Sequence, residues 1–171
     1  DMYEMGGDRA EESGLAAYEL SNWARPGHKS RHNQMYWTYG EYIGIGAGAH
    51  GFVAGERFEN IAHPRAYIEA VGRSGRAIER TYTPPYEMAI LDWIGLHLRL
   101  VKGFAPEEFE AEFGETLDQV VGEPLRECVS SGLIEREANF LRISRRGRLL
   151  HSEIVVRVLA HLNQQATVSS T

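Results

Sequence analysis

Two consecutive prolines set the main constraint on this chain. In Tyr82-Thr83-Pro84-Pro85 they remove two backbone donors and turn Thr83 away from helix. The chain is therefore read as two units that meet there. Residues 1 to 80 are rich in glycine, aromatic residues and histidine. Residues 84 to 162 carry the apolar periodicity of packed helices. Residues 163 to 171 are small and polar, and are expected to form a flexible tail.

In the first unit, Tyr3 to Ser13 reads as the end of a helix stopped by Gly14. Leu15 to Leu20 reads as a buried strand, and His32 to Trp37 as one helical turn. Tyr42 to Gly51 reads as a strand running into a glycine-rich turn. Phe52 to Asn60 reads as a hairpin turning at Ala54-Gly55, and Pro64 to Val71 as a helix with proline in its first position. In the second unit the spacing predicts helices over Pro85–Val101, Pro106–Phe113 and Leu117–Ser131, the last disturbed by Pro124. Strands Leu133–Arg136 and Phe140–Ile143 follow, then a helix capped by Ser144 with apolar positions Leu150, Ile154, Val158 and Leu162. Helix, helix, helix, hairpin, helix is the order of a winged-helix domain.

Composition narrows the function classes. The chain has 171 residues, of which 43% are hydrophobic and 25% charged, as in an ordinary globular protein. Nothing approaches the roughly 18 consecutive apolar residues of a membrane span, and no secretory leader opens the sequence. The chain begins Asp1-Met2-Tyr3 rather than with an initiator methionine, which points to a fragment. The net charge of −6 supplies no basic footprint for nucleic acid. The helix that would enter a groove carries Glu115, Asp118, Glu123 and Glu127 against Arg126, whereas Arg136, Arg142, Arg145, Arg146 and Arg148 cluster around the second hairpin. Cys128 is the single cysteine, so the chain forms no internal disulfide and cannot hold an iron–sulfur cluster by itself.

Three features carry candidate chemistry. The stretch Gly44 to Gly51 lets backbone approach a ligand closely, or packs as a tight strand-to-turn. Its G-x-G-x-G spacing is not the dinucleotide motif, and no Lys-Ser/Thr pair makes it a phosphate loop. In Arg31-His32-Asn33-Gln34-Met35-Tyr36-Trp37, a histidine beside an asparagine with two aromatic residues within a turn is either a ligand platform or a loop histidine among core anchors. His50, flanked by small residues, has room for a ligand or is a solvated turn residue. His97 on an apolar helix reads as a core histidine and Cys128 as inert packing. No nucleophile constellation occurs, and no histidine pair has the i, i+4 spacing together with a carboxylate that a zinc site would need.

Three motifs in order give the chain a resemblance. They are Tyr18-Glu19-Leu20-Ser21-Asn22-Trp23-Ala24-Arg25-Pro26-Gly27, then Arg31-His32-Asn33-x-x-Tyr36-Trp37, then Tyr42-Ile43-Gly44-Ile45-Gly46-Ala47-Gly48-Ala49-His50-Gly51. Together they resemble the C-terminal part of the HemW/HemN family of radical S-adenosylmethionine proteins, which includes a haem chaperone and oxygen-independent coproporphyrinogen III oxidase. The His-Asn-x-x-Tyr-Trp motif resembles the chaperone branch.

The resemblance implies an α/β fold for residues 1–80, the last strands and helices of an open (β/α) radical SAM barrel, followed by a small winged-helix-like C-terminal domain at 84–162. It implies that His32 is a possible haem iron ligand, with Asn33, Tyr36 and Trp37 shaping the pocket. It places Gly46, Gly48, Ala49 and His50 on the S-adenosylmethionine side. The family's Cys-x-x-x-Cys-x-x-Cys cluster motif is absent, so S-adenosylmethionine and the [4Fe–4S] cluster would belong to a full-length parent and this part would be inactive alone. The implied function is to bind haem and deliver it to acceptor haemoproteins in the cytoplasm, with the missing N-terminal half of the barrel as a further partner. The alternatives are oxidative decarboxylation of coproporphyrinogen III, or a winged-helix interaction module. The strand at Ala16–Leu20 should then expose an unpaired edge, leaving residues 1–80 loose or dimeric beside a self-sufficient second unit.

Overall fold

The structure, a computed structural model, describes residues 2–169, with side chains described through residue 165. The first unit contains α1 (Met2–Glu12), β1 (Ala16–Ala17), β2 (Trp23–Ala24), α2 (Arg31–Trp37), β3 (His50–Val53), β4 (Glu56–Asn60), α3 (Pro64–Ser74) and β5 (Ile78–Tyr82). The second contains α4 (Tyr86–His97), α5 (Pro106–Phe113), α6 (Leu117–Ser130), β6 (Ile134–Glu137), β7 (Phe140–Ile143), α7 (Arg145–Arg148) and α8 (His151–Ser169).

The strand expected over Leu15–Leu20 shrinks to Ala16–Ala17, paired antiparallel with Trp23–Ala24. Tyr18, Glu19 and Leu20 are all buried, which an alternating strand with one solvated face does not allow. The chain instead turns there, and its outer side is met by the segment that follows α4. Val101 N–H donates to the Tyr18 carbonyl at 3.1 Å, and Glu19 bridges Leu100. The partner on that side is therefore a stretch of the second unit.

β3, β4 and β5 form an antiparallel sheet in that order. The β3–β4 turn lies at Ala54-Gly55 as expected, both with positive φ (52° and 76°), the geometry that matches strand twist in a two-residue hairpin. β5 was not foreseen. Its sequence Ile78-Glu-Arg-Thr-Tyr82 lies on an edge with almost every side chain exposed, so it lacks the apolar alternation that marks a half-buried strand. The strand expected from Tyr42 reduces to one bridge, Tyr42 to Phe52, and residues 43–49 leave the sheet.

In the second unit α5 has the expected bounds, and α4 buries Ile90, Leu91, Trp93, Ile94 and His97 around much of its circumference. α4 ends at His97 rather than Val101. α6 bends at Val121 (φ −139°), because Pro124 has no N–H to give the carbonyl four residues back and its ring crowds that carbonyl. Ser144 caps the short α7, not the final helix; its Oγ accepts from Gly147 N–H and donates to the Gly132 carbonyl. The last helix begins afresh at His151. It runs through residues 163–169, which were expected to be a flexible tail; residues 170–171 lie outside the described residues. Ile154, Val158 and Leu162 of α8 are buried and Leu150 partly so. Helix, helix, helix, hairpin, helix is the observed order, with one extra helical turn at α7.

The prolines mark a change of texture, but the core crosses them. Leu20 belongs to the same apolar cluster as Ile90, Trp93, Phe104 and Ile154, and Tyr39 packs against it. Ion pairs that join the units include Glu19–Arg99 at 3.0 Å, Arg57–Asp92 at 2.8 Å and Asp8–Arg145 at 2.6 Å. The Glu19 carboxylate is fully buried. It also accepts from Ser21 N–H at 2.7 Å and from the Asn22 amide at 2.6 Å. Removing one partner of such a pair strands a charge in the interior. Arg99→Met is expected to cost about 3 kcal/mol of stability, read from urea unfolding.

His97 is buried, stacked on Trp93 with ring centroids 3.7 Å apart, and its Nδ1 bonds the Trp93 carbonyl at 2.8 Å. Burial lowers its pKa from the ordinary 6.5, and burial does the same for His151. The unfolded chain takes up these protons near pH 6.5 while the folded chain resists. Stability is therefore expected to fall as pH drops below 6.5, and His97→Phe to flatten that fall in urea titrations at stepped pH.

Candidate functional site

α2 is built by a local rule. Ser30 caps it, its Oγ accepting from Asn33 N–H at 3.2 Å. Four-residue spacing then places His32 under Tyr36 and Asn33 under Trp37 on one face. The His32 and Tyr36 rings meet edge to face at 4.8 Å, and Tyr36 packs on Tyr42 at 4.3 Å. Past the helix, Tyr39 takes φ 56°, a left-handed conformation unfavourable for a large side chain, and this brings its ring within 4.9 Å of Phe52.

These rings wall a cavity of about 390 Å³, lined by His32, Asn33, Tyr36 and Trp37 together with residues from β3, β4 and α4. That size lies within the roughly 300–1,000 Å³ of small-molecule sites. All four residues expected to form a haem pocket therefore line one recess. His32 is exposed at its edge, and Trp37 forms part of its back wall. The Arg99 guanidinium lies 4.2 Å from the Trp37 ring centroid, tying the recess to the buried Glu19. The Trp37 indole N–H is buried and has no hydrogen-bond partner.

The sequence reading missed the cavity's charged floor. Arg57 of β4 bonds Asp92 of α4 there, at 2.8 Å. Burial raises the Asp92 carboxyl above its ordinary value, and Arg57 partly offsets this. Burial also raises the Tyr39 and Tyr42 hydroxyls. A lone acid amid the apolar run of α4 was the available signal for Asp92; nothing local marked Arg57 as its partner.

The residues expected on the S-adenosylmethionine side lie apart from this recess. Gly46, Gly48, Ala49 and His50 are not among its lining residues. His50 is mostly exposed and faces Glu59 at 3.8 Å. The turn before it is held by the buried Asn60, whose amide donates to the Gly44 and Gly46 carbonyls at 3.1 and 3.0 Å. Tyr67 supports it from α3, accepting from Gly46 N–H at 3.2 Å. Glycine is required sterically at two places here. A Cβ on Gly44 would lie 1.9 Å from the His50 carbonyl oxygen, and one on Gly51 would lie 2.0 Å from the Phe58 ring. Asn60 is thus the positioning residue that sequence reasoning passed over.

The arginines around the second hairpin are largely engaged by the protein itself. Arg142 pairs with Glu135 and Glu137, Arg145 with Asp8, and Arg146 donates to the Ser131 carbonyl. Cys128 is buried, and burial pushes its thiol pKa up, which suits packing rather than reactivity. Among the described residues no group of three or more His, Cys, Asp or Glu could hold a metal ion, and no helix is long and apolar enough to cross a membrane.

Comparison with known proteins places this architecture. Residues 89–150 match the HemN C-terminal domain. The fold superposes, with a TM-score of 0.69 and 16% identity, on the solved structure of coproporphyrinogen III oxidase (HemN) from Escherichia coli, described as a radical SAM enzyme; the match covers 91% of this chain and 39% of that one. In sequence, the chain is 32% identical over 162 residues to the heme chaperone HemW of Bacillus subtilis, covering 95% of this chain and 43% of the relative. It is 32% identical over 168 residues to heme chaperone HemW of Escherichia coli, covering 94% and 42%. These matches support reading the chain as a C-terminal part of a HemW/HemN-family protein. The chain spans about two fifths of the length of these curated relatives.

The Asn60 amide makes two hydrogen bonds that no other side chain replaces. Asn60→Ala is expected to cost about 2 kcal/mol, at about 1 kcal/mol per bond, in thermal unfolding. It should also speed amide exchange at Gly46 and Gly48.

Proposed function

We propose that this chain is the haem-holding part of a HemW-type haem chaperone. The observation that carries the reading is the convergence of His32, Asn33, Tyr36 and Trp37 on one aromatic-walled recess. An exposed imidazole at the rim is a suitable axial ligand to haem iron, and flat rings on the walls suit a flat conjugated ligand. The unpartnered indole N–H of Trp37 leaves a donor that a rearranged, occupied pocket could satisfy. The tyrosine-rich wall and the left-handed Tyr39 shape the recess independently of any occupant.

Haem here is cargo, taken up beside α2 and passed to acceptor haemoproteins in the cytoplasm. S-adenosylmethionine and a [4Fe–4S] cluster would be held by the rest of the parent, since the chain's one cysteine is buried and has no clustered ligands among the described residues. In that parent, residues 1–80 would complete an open (β/α) barrel, and residues 84–162 would form a winged-helix-like domain closing over it. The turn with Gly46, Gly48, Ala49 and His50 would face the S-adenosylmethionine side.

Hemin titration of this chain, read at the Soret band, tests the reading. A saturable shift is expected for the wild type, with His32→Ala losing it or moving the band. Identical curves for the two proteins would remove His32 as the ligand. Haem binding by a full-length parent without decarboxylation of coproporphyrinogen III separates the chaperone from the oxidase.

A further inference from the structure

We infer that Arg57 is the anion anchor of the α2 recess and selects a ligand that carries a carboxylate on its edge, with Asp92 as the internal competitor that occupies the guanidinium when the recess is empty. This inference rests on the haem reading above and adds the polar contact that orients the ligand.

Among the described residues, Arg57 and Asp92 are the only acid and base besides His32 lining the recess; its other walls are rings, Asn33, Gly40 and Leu96, with His32 at the rim. Arg57 sits within β4, opposite Phe52 on β3 and Tyr82 on β5, so its base is fixed by two strand ladders. Its guanidinium lies 5.6 Å from the Phe52 ring centroid, which holds its plane against the cavity wall. The contact with Asp92 uses one nitrogen, Nη2, at 2.8 Å. A guanidinium presents five N–H donors in a fork that suits a carboxylate, so a monodentate Asp92 contact beside the Tyr39 hydroxyl still leaves capacity for another partner. Both side chains keep access to solvent, 27% for Arg57 and 34% for Asp92, so an incoming group can reach the pair. A ligand carboxylate arriving here shares or displaces Asp92. The Asp92 carboxyl is partly desolvated, which weakens its hold on the charged state and makes the exchange feasible.

The competition gives the two substitutions opposite signs. Hemin and hemin dimethyl ester, in the same detergent, are titrated at the Soret band against the wild type, Arg57→Gln, Asp92→Asn and the double variant of this chain. The wild type is expected to bind hemin about tenfold more tightly than the ester. Arg57→Gln should abolish that preference, Asp92→Asn should enlarge it, and the ester affinity should stay level throughout. The double variant removes both charges together, so it guards against loss of fold from one stranded charge. Its circular dichroism should match the wild type, and it should bind hemin and ester alike. Equal affinity of the wild type for both ligands would overturn the Arg57 assignment while leaving the haem reading intact. Equal losses for both ligands on Arg57→Gln would do the same. No saturable shift with either ligand on the wild type would overturn the haem reading, and this inference with it.

Discussion

A buried carboxylate holds the two parts of the chain together. Glu19 sits inside an otherwise apolar run, and its charge is met by Arg99, 80 residues further on, and by the local donors of Ser21 and Asn22. Fully desolvated ions are tolerated only when partnered, so Glu19 requires the segment just past α4, which carries Arg99, to lie where it does. The backbone follows the same join, through the Tyr18 carbonyl and Val101 N–H. Arg99 then reaches over Trp37. The chain of contacts Glu19–Arg99–Trp37 therefore sets both the orientation of the units and the back wall of the recess.

That dependence is sharpened by what α2 lacks. The helix has seven residues and buries none of them fully. Isolated helices of that length are not stable, and this one has little core of its own to hold it. Its position comes from the Ser30 cap, from Tyr36 against Tyr42 and from Trp37 beneath Arg99. The recess is thus walled by a lightly anchored helix leaning on a firmly packed second unit, in which Trp93 meets Phe104 and Phe109 edge to face. The second ion pair, Arg57–Asp92, crosses the same boundary inside the recess, so the site is itself part of the join.

Much of the second unit could be read from spacing. Pro106 at the start of α5 and the four-residue repeat of Ile154, Val158 and Leu162 are local signals, and the elements followed them. The first unit was harder because its signals are weaker. β5 is a charged edge strand, and β1 is cut short where Glu19 must turn inward. α7 and the break before α8 were hidden because Ser144 caps a single turn with the same chemistry that caps a long helix. Within the site, the clustering of His32, Asn33, Tyr36 and Trp37 within about a turn was visible in the sequence, but it was the resemblance of the motif that singled them out as a pocket. Arg57, Asp92 and Asn60 were not legible there, since each works through partners far along the chain.

The sequence by itself determined the local pieces. It set several helix starts, such as the proline-led α3 and α5, the stacking of His32 under Tyr36 on α2, and the presence of a glycine-rich turn before β3. Those outcomes depend on interactions within a few residues, or on glycine's freedom from a side chain. Tertiary structure alone decided that the core crosses the double proline, that Glu19 and Asp92 find Arg99 and Arg57, and that the glycine turn lies apart from the α2 recess. The reason is that the cost of a buried charge is local while its remedy is not. A sequence shows the acid in the apolar run, but only the folded chain brings the arginine that neutralises it.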